Sequence, residues 1–257
     1  MYPIVFFLGN AYPTFTIFGL VGFFVAIVVA GFRAKKYGLT RSDPLYIGTF
    51  AGLGLLLGSS LLFALIHTPQ MWAYRAYLLT DFTGYMARFF GGMVFYGGLF
   101  GAIGGIFAYC KIMKQPLGVV MKLTIPVLPL AHAIMRVGCF MAGCCHGIQH
   151  QCGIVFTRAL GAPNNIPLLP VQLYEAAVNL GIFAMLWVFT KRERSWKTTA
   201  CLYGIAYSIV RFFLEFLRGD AGRGFVFGFS TSQIISAGVF LGCVVWLITQ
   251  LRAIKTN

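Results

Sequence analysis

Residues 123–143 read LTIPVLPLAHAIMRVGCFMAG, an apolar run whose only charged side chain is that of Arg136. A helix needs about 20 such residues to cross the roughly 30 Å hydrocarbon core of a bilayer. Apolar runs of similar length lie on either side of it, near residues 14–32, 45–66, 89–110, 171–190, 200–217 and 231–251. The sequence therefore predicts an all-α polytopic membrane protein of about seven transmembrane helices.

The overall composition agrees with this fold. Of the 257 residues, 59% are hydrophobic and 10% are charged, and the length suits one domain. No long linker, low-complexity tract or repeat of fixed period divides the chain, so we predict a single transmembrane domain over residues 1–257. The N-terminal apolar run has no basic region before it and no small-residue cleavage site, so we expect it to be retained as a crossing.

The basic residues give a formal net charge of +14, and their distribution predicts the orientation of the chain. Thirteen of the 20 follow the first, third, fifth or seventh crossing: Arg33, Lys35, Lys36, Arg41, Lys111, Lys114, Lys122, Lys191, Arg192, Arg194, Lys197, Arg252 and Lys255. The opposite side carries Arg75, Arg88, Arg158, Arg218 and Arg223. The positive-inside rule places the N-terminus outside and the C-terminus in the cytoplasm. We expect a multi-pass protein of the bacterial cytoplasmic (inner) membrane, with no nucleic-acid partner.

Charged side chains inside predicted crossings are costly, which makes them candidates for function. Tyr207, Arg211, Glu215 and Arg218 follow one another at intervals of four, four and three residues, a spacing that places them on one helical face. Arg211 and Glu215 would lie about 6 Å apart along the axis, close enough to pair. The alternative is a structural ion pair that only locks two helices together.

Arg136 has no acidic residue near it in sequence, so its partner must come from another helix or from a bound anion, for which a phospholipid headgroup is the natural candidate. Glu175 is compatible with two roles, a counter-ion or proton acceptor for the arginines, or a residue that favours the helix dipole. His132 is compatible with proton transfer or with packing.

Four cysteines, Cys139, Cys144, Cys145 and Cys152, cluster at the outer end of the fourth crossing. They are compatible with reactive thiols, with a structural disulfide that includes Cys152, or with a metal site completed by His146 or His150. Adjacent cysteines seldom both bind one zinc ion, and no Cys-x-x-Cys motif occurs, so we predict no metal and no cofactor.

Four blocks of the sequence resemble the prolipoprotein diacylglyceryl transferase family and occur in that family's order. They are 92–99 (GMVFYGGL), 136–147 (RVGCFMAGCCHG), 170–175 (PVQLYE) and 211–218 (RFFLEFLR). The resemblance covers roughly residues 88–250. It implies that phosphatidylglycerol donates a diacylglyceryl group to the lipobox cysteine of a prolipoprotein, with release of glycerol phosphate. It also implies that Arg136 and Arg211 hold the phosphate, oriented by Glu215 and Arg218.

The chain departs from the family's pattern on the thiol side of the reaction. Tyr96 stands where the family has the histidine often proposed as the base, and Cys139, Ala142 and Cys144 replace two asparagines and a glutamate. The family's Arg-x-Pro-Asp is shortened to Arg218-Gly219-Asp220. The resemblance therefore implies a divergent member, for which an acceptor other than the lipobox thiol is an alternative.

From these patterns we predict a set of catalytic residues and a set of substrate-binding residues. The catalytic set is Tyr96, Arg136, Cys139, Cys144, Arg211 and Glu215. The binding set is Gly97, Gly98, Gln172, Tyr174, Glu175, Tyr207 and Arg218. Gly97, Gly101 and Gly105 are also expected to allow close helix packing. Two other hypotheses remain open, a non-catalytic lipid-binding or transport protein, and a membrane thiol-redox protein that uses the four clustered cysteines.

Overall fold

The computed structural model describes residues 2–7, 9–90, 92–220, 224–226 and 228–256. Within these residues seven helices are long and apolar enough to cross a membrane, which confirms the predicted all-α polytopic fold. They span Thr14–Tyr37, Asp43–Ile66, Phe95–Ile112, Leu117–Ala142, Val171–Phe189, Trp196–Leu217 and Thr231–Ala253. Arg223, one of the basic residues used to predict the orientation, lies outside the described residues, and the orientation stays a prediction.

The helices in chain order are α1 (Thr14–Ala34), α2 (Asp43–Ile66), α3 (Thr68–Ala73), α4 (Tyr77–Thr80), α5 (Phe82–Phe90), α6 (Phe95–Ile112), α7 (Leu117–Thr124), α8 (Leu128–Ala142), α9 (Val171–Phe189), α10 (Trp196–Leu214) and α11 (Thr231–Thr256). Short antiparallel pairs join β1 (Ile4–Phe7) to β2 (Asn10–Pro13), β3 (Gln149–Val155) to β4 (Pro167–Leu168), and β5 (Phe225–Val226) to β6 (Phe229–Ser230).

The third crossing begins at Phe95, so the predicted start near residue 89 is wrong. The preceding α5 is a separate helix, and Val94 between them is extended. A Cβ atom on Gly92 would lie 2.3 Å from the ring of Phe63, so the chain here passes close to α2 and a larger residue would have to displace that ring. The break follows from glycine, which disfavours a continuous helix and permits this close approach.

The fourth crossing is longer than predicted and is interrupted near its middle. It begins at Leu117, and a 3-10 turn at Ile125–Val127 separates α7 from α8. Pro126 and Pro129 lie at the starts of the turn and of α8, where their missing N–H groups leave no hydrogen bond unmade. The helix ends at Gly143, whose φ of 69° gives the left-handed conformation that glycine tolerates best.

The chain forms two compact units, one of Met1–Ala30 with Lys122–Asn257 and the other of Gly31–Met121. The prediction of a single transmembrane domain stays a prediction. In the second unit α2 packs along α6. A Cβ on Gly101 would lie 2.0 Å from the carbonyl oxygen of Gly54, and one on Gly97 would lie 2.3 Å from that of Gly58. The packing role expected for the α6 glycines is therefore confirmed.

In the first unit α9 packs between α8 and α10, and α10 also packs on α11. The part of α1 within this unit lies against α8, since a Cβ on Gly138 would lie 2.5 Å from the Cβ of Phe18. The segment between α8 and α9 folds over a small core of Phe156, Ala162 and Leu168. These helices bring together most of the polar residues singled out in the sequence.

Candidate active site

Glu175 on α9 is the centre of a polar cluster within the apolar helices. Its side chain is 1% exposed, and Arg136 of α8 lies with its Nε 3.1 Å from Glu175 Oε2. The hydroxyl of Tyr207 on α10 donates a hydrogen bond of 3.0 Å to Glu175 Oε1. One carboxylate therefore joins three helices, and Arg136 finds its partner on another helix, which is one of the two alternatives that the sequence left open.

The contacts of Glu175 decide between the two roles left open for it. The helix α9 begins at Val171 and has no acidic residue in its first turn, so the interpretation of Glu175 as a dipole partner is wrong. A carboxylate at 1% exposure beside a guanidinium is a counter-ion, because a buried charge without a partner is strongly disfavoured. We name His132, Arg136, Glu175 and Tyr207 the charged cluster.

His132 lies one turn before Arg136 and accepts a hydrogen bond of 3.1 Å from Arg136 Nε through its own Nε2. Since this nitrogen accepts, it carries no proton in this arrangement, and its 3.6 Å distance to Glu175 Oε1 is not a charged contact. Nε of Arg136 makes both contacts, so among the described residues the guanidinium is held through one of its three nitrogens. Its two terminal nitrogens are the part suited to bidentate phosphate binding.

Arg211 forms a second charged site at the end of α10. Its Nη1 lies 2.7 Å from Glu215 Oε2, which confirms the predicted pair. Its Nη2 donates a hydrogen bond of 3.0 Å to Ser232 Oγ on α11. Nη1 is buried without an aligned hydrogen-bond acceptor among the described residues. The guanidinium is thus oriented by Glu215 after α10 and by Ser232 on α11.

The predicted helical stripe ends earlier than the sequence suggested. The α-helix stops at Leu214, a 3-10 turn covers Glu215–Leu217, and Arg218 is extended. Arg218 pairs with Asp220 through two bonds, Nε to Oδ1 at 3.1 Å and Nη2 to Oδ2 at 2.9 Å. Because the backbone leaves the helix here, Arg218 is held by the chain that follows it rather than by the face of α10.

Two glycines that sequence reasoning did not single out bring Arg218 beside the cysteines. Ile148 N–H donates to Leu217 O at 2.9 Å, and Gly219 N–H donates to His146 O at 3.0 Å. A Cβ on Gly219 would lie 2.5 Å from the carbonyl oxygen of Gly147, so only glycine allows this pairing. The sequence signal was a glycine at the end of one block, Gly147, and a glycine directly after another, Gly219, and it indicates close backbone approach only once both segments are known to meet.

Three of the four predicted cysteines form one cluster. The Sγ atoms of Cys139, Cys144 and Cys145 all lie within 4.8 Å of one another. Cys139 is buried and the other two are half-buried, whereas Cys152 is exposed and outside the cluster. All seven cysteines are free, so the structural disulfide suggested for Cys152 is not formed in this structure. We name Cys139, Cys144 and Cys145 the thiol cluster.

The electrostatics of the thiol cluster are asymmetric. Hydrogen bonds from the thiols of Cys139 and Cys144, and then from Arg218, lower the pKa of Cys145, although burial acts in the opposite direction. Hydrogen bonding to Cys139 and Cys145 raises the pKa of Cys144, and its burial adds to this. Of these two thiols, Cys145 is therefore the more acidic.

Other residues of the predicted binding set have different surroundings. Gln172 is 1% exposed and donates a hydrogen bond of 2.6 Å to the carbonyl oxygen of Cys144, which supports the thiol cluster from α9. Tyr174 is 41% exposed, and no polar contact described in the structure joins it to Glu175. Ser232, the partner of Arg211, was not predicted, because a single serine in an apolar helix is usually a packing residue.

The second unit carries the other predicted residues. Tyr96 is 48% exposed near the start of α6, and its ring packs edge-on against Phe95. Gly97 and Gly98 are buried against α2, and a Cβ on Gly98 would lie 3.3 Å from Leu55 Cγ. Their contacts are packing contacts, and the catalytic role of Tyr96 and the binding role of the two glycines stay predictions.

Known proteins resemble this chain over nearly its whole length. The sequence pattern of the family described as prolipoprotein diacylglyceryl transferase matches residues 3–249. The phosphatidylglycerol–prolipoprotein diacylglyceryl transferase of Clostridium tetani is 32% identical over 236 residues, which cover 90% of this chain and 91% of that protein. The second such enzyme of Clostridium perfringens is 34% identical over 255 residues, covering 93% and 95%.

The match includes the segments that contribute the charged cluster, Arg211 and Glu215, and the thiol cluster. A more distant relative of the same name, from Pseudoalteromonas atlantica, is 28% identical over 98% of the chain. These sequence matches identify one group of proteins: this chain belongs to the prolipoprotein diacylglyceryl transferase family.

Proposed function

We propose that this protein transfers a diacylglyceryl group from phosphatidylglycerol to the lipobox cysteine of a prolipoprotein, forming a thioether and releasing glycerol phosphate. The observation that carries this proposal is the placement of Arg136 and Arg211 in membrane-spanning helices, each with its side chain only 12–13% exposed and each oriented by a carboxylate. Guanidinium groups at that depth are suited to an anionic lipid headgroup, since they bind phosphate through two parallel hydrogen bonds.

The two arginines serve the reaction because charge develops on the leaving group. When the carbon–oxygen bond of the donor breaks, the phosphate changes from a diester with one negative charge to a monoester with more. Fixed guanidinium donors stabilise this added charge, and removal of one such donor typically costs about 10²–10³ in rate. Glu175 and Glu215 act as positioning residues, since each holds an arginine in place.

The partners that this function requires are an anionic phospholipid and a protein thiol, both presented at the membrane. The seven apolar helices support a multi-pass membrane location. We place the protein in the bacterial cytoplasmic (inner) membrane with its N-terminus outside, because thirteen of the 20 basic residues follow odd-numbered crossings. We assign Cys139 and Cys144 to the part of the proposed site that receives the acceptor thiol.

The proposal is tested with purified protein, phosphatidylglycerol and a peptide that carries one lipobox cysteine. We expect the peptide to gain the mass of one diacylglyceryl group and glycerol phosphate to appear in equal amount. Arg136→Ala should abolish both products. Arg158→Ala is the matched control, since Arg158 is exposed in the same unit and should leave the rate unchanged.

Two results would oppose the transferase function. Phosphatidylglycerol that binds with no release of glycerol phosphate would favour the lipid-binding or transport hypothesis. Release of glycerol phosphate without modification of the peptide would favour another acceptor. Free diacylglycerol in the second case would identify water as the acceptor, since hydrolysis leaves the diacylglyceryl group with a hydroxyl.

A further inference from the structure

The thiol cluster has the composition and the spacing of a metal site. Zinc binds cysteine sulfur at about 2.3 Å, so sulfur ligands around a tetrahedral ion lie about 3.8 Å apart. The three Sγ atoms already lie within 4.8 Å of one another. The difference of about 1 Å is small, and Cys144 and Cys145 are only half-buried.

The objection raised by the sequence was that adjacent cysteines seldom bind one ion. The backbone of Cys145 removes this objection, since its φ of 55° is left-handed and follows the left-handed Gly143. In an extended chain successive side chains point to opposite sides. Here the turn brings the sulfur atoms of Cys144 and Cys145 to the same side, where Cys139 at the end of α8 meets them.

The cluster supplies three ligands and leaves a fourth position open. Among the described residues no histidine nitrogen or carboxylate oxygen joins the three sulfur atoms. His146 follows directly in sequence, but its Nδ1 is bonded to the carbonyl oxygen of Gly147 at 2.9 Å. Zinc sites with three protein ligands and one open position are typical of catalysis, whereas structural sites have four.

We propose that Cys139, Cys144 and Cys145 hold a zinc ion whose fourth ligand is the thiol of the acceptor cysteine. This inference rests on the proposed function. In it, the zinc ion activates the acceptor thiol. It accounts for two departures from the family's pattern together, the tyrosine at position 96 in place of a histidine base and the cysteines in place of asparagine and glutamate.

The reaction step is balanced without an oxidant or a reductant. Coordination to zinc removes the proton of the acceptor thiol, which passes to water. The bound sulfur attacks the glyceryl methylene carbon of the donor lipid, so that a sulfur–carbon bond forms and the carbon–oxygen bond breaks. The electron pair of that bond goes to the oxygen of the leaving glycerol phosphate. The product thioether is a weaker ligand than a thiolate, so it leaves and the zinc ion keeps its oxidation state.

Arg218 offsets the negative charge of the proposed zinc site. Three thiolates and one Zn²⁺ carry a net charge of −1, and a fourth thiolate makes it −2. The backbone of Arg218 pairs with that of Gly147, two residues after Cys145, and its side chain is held in place by two bonds to Asp220. A fixed cation next to a ligand sulfur offsets this charge in a partly buried site.

The first test measures metal content of the full-length protein after incubation with Zn²⁺ and removal of unbound ion. We expect about one zinc ion per chain, as a single site with three protein ligands requires. Cys152→Ser should keep the zinc, because Cys152 is exposed and outside the cluster. The double variant Cys139→Ser with Cys145→Ser should lose it. Absence of zinc from the unaltered protein, or equal zinc in the double variant, would overturn the site.

The second test needs no variant and probes the open position. Co²⁺ in place of Zn²⁺ should give the visible bands of a tetrahedral thiolate site, and a lipobox peptide with cysteine should change them. The same peptide with serine should leave them unchanged. Bands that do not respond to the cysteine peptide would overturn the role of the acceptor as fourth ligand.

Two further outcomes separate this inference from the proposed function. Metal-free protein that forms the thioether at the full rate would leave the transferase function intact and overturn the zinc site. A zinc ion and a cobalt response without any thioether product would support the site and overturn the transfer.

A diacylglyceryl adduct on Cys139 or Cys144 in the working enzyme, or a disulfide among the three, would also overturn the zinc site, since the ligand would then be a covalent relay or a redox thiol.

Discussion

Two groups of helices in this protein are each held together by a different kind of contact. The pair α2 and α6 meets backbone to backbone, where Gly54 faces Gly101 and Gly58 faces Gly97. The group α8, α9 and α10 meets through the charged cluster, in which Glu175 contacts Arg136 and Tyr207. We name Gly54, Gly58, Gly97 and Gly101 the glycine joint.

The difference shows that the contacts that only stabilise packing and the contacts that provide ionisable groups lie in different groups of helices. Lipid gives no hydrophobic reason for apolar helices to associate, so the glycine joint relies on close van der Waals packing. The charged cluster relies on pairing of groups that are costly to bury alone. Only the second kind of contact provides ionisable groups, and the proposed reaction is accordingly placed there.

The largest effect is expected where one side chain joins three helices. Glu175→Gln keeps the size of the side chain and removes the charge that pairs with Arg136. Loss of one partner of a buried ion pair typically costs about 3–5 kcal/mol, and we expect the free energy of unfolding in detergent to fall by that amount. A change below about 1 kcal/mol would mean that Arg136 finds other compensation, and the charged cluster would then not be a structural joint.

The next effect concerns catalysis at the charged cluster. Arg136→Lys keeps the positive charge and removes the planar fork, so a phosphate loses one of two parallel hydrogen bonds. We expect the rate of glycerol phosphate release to fall about 10²-fold, with a smaller change in stability than for Glu175→Gln. The rate is measured with saturating phosphatidylglycerol. An unchanged rate would assign the phosphate contact to Arg211 and leave Arg136 with a structural role alone.

A smaller effect on stability, without an effect on chemistry, is expected at the glycine joint. Gly101→Ala places a Cβ 2.0 Å from the carbonyl oxygen of Gly54, so α2 and α6 must separate. Overpacking of this kind costs about 1–3 kcal/mol, measured as a lower unfolding temperature. Gly104→Ala on the same helix is the matched control, because a Cβ there meets no atom within 4 Å. Equal effects of the two variants would show that the glycines do not form a joint.

The smallest effect is expected at an exposed ion pair. Lys122 Nζ lies 3.3 Å from Glu193 Oε2, and the side chain of Glu193 is 72% exposed. Exposed pairs contribute about 0–1 kcal/mol, since water screens them, so Glu193→Gln should change the free energy of unfolding by less than that. The ratio between this value and that of Glu175→Gln measures how much burial adds to the same chemical change.

The sequence predicted those features that depend on neighbouring residues along the chain. Hydropathy located seven crossings because spanning helices need long apolar runs. The spacing of Arg211 and Glu215 predicted their pair, because residues four apart lie on one side of a helix. The errors lie at residues 89–95 and at Arg218, where a glycine or the end of a helix changes the backbone locally.

The sequence determined by itself that the chain spans a membrane, which residues are charged within it, and to which family it is similar. The tertiary structure alone decided that Arg136 pairs with Glu175 on another helix, that Gly147 and Gly219 bring Arg218 to Cys145, and that three of the four clustered cysteines meet. The physical reason is that hydropathy and helical spacing are local properties of the chain. Which side chains contact each other depends instead on how separate helices pack, and this cannot be read from the sequence of any single segment.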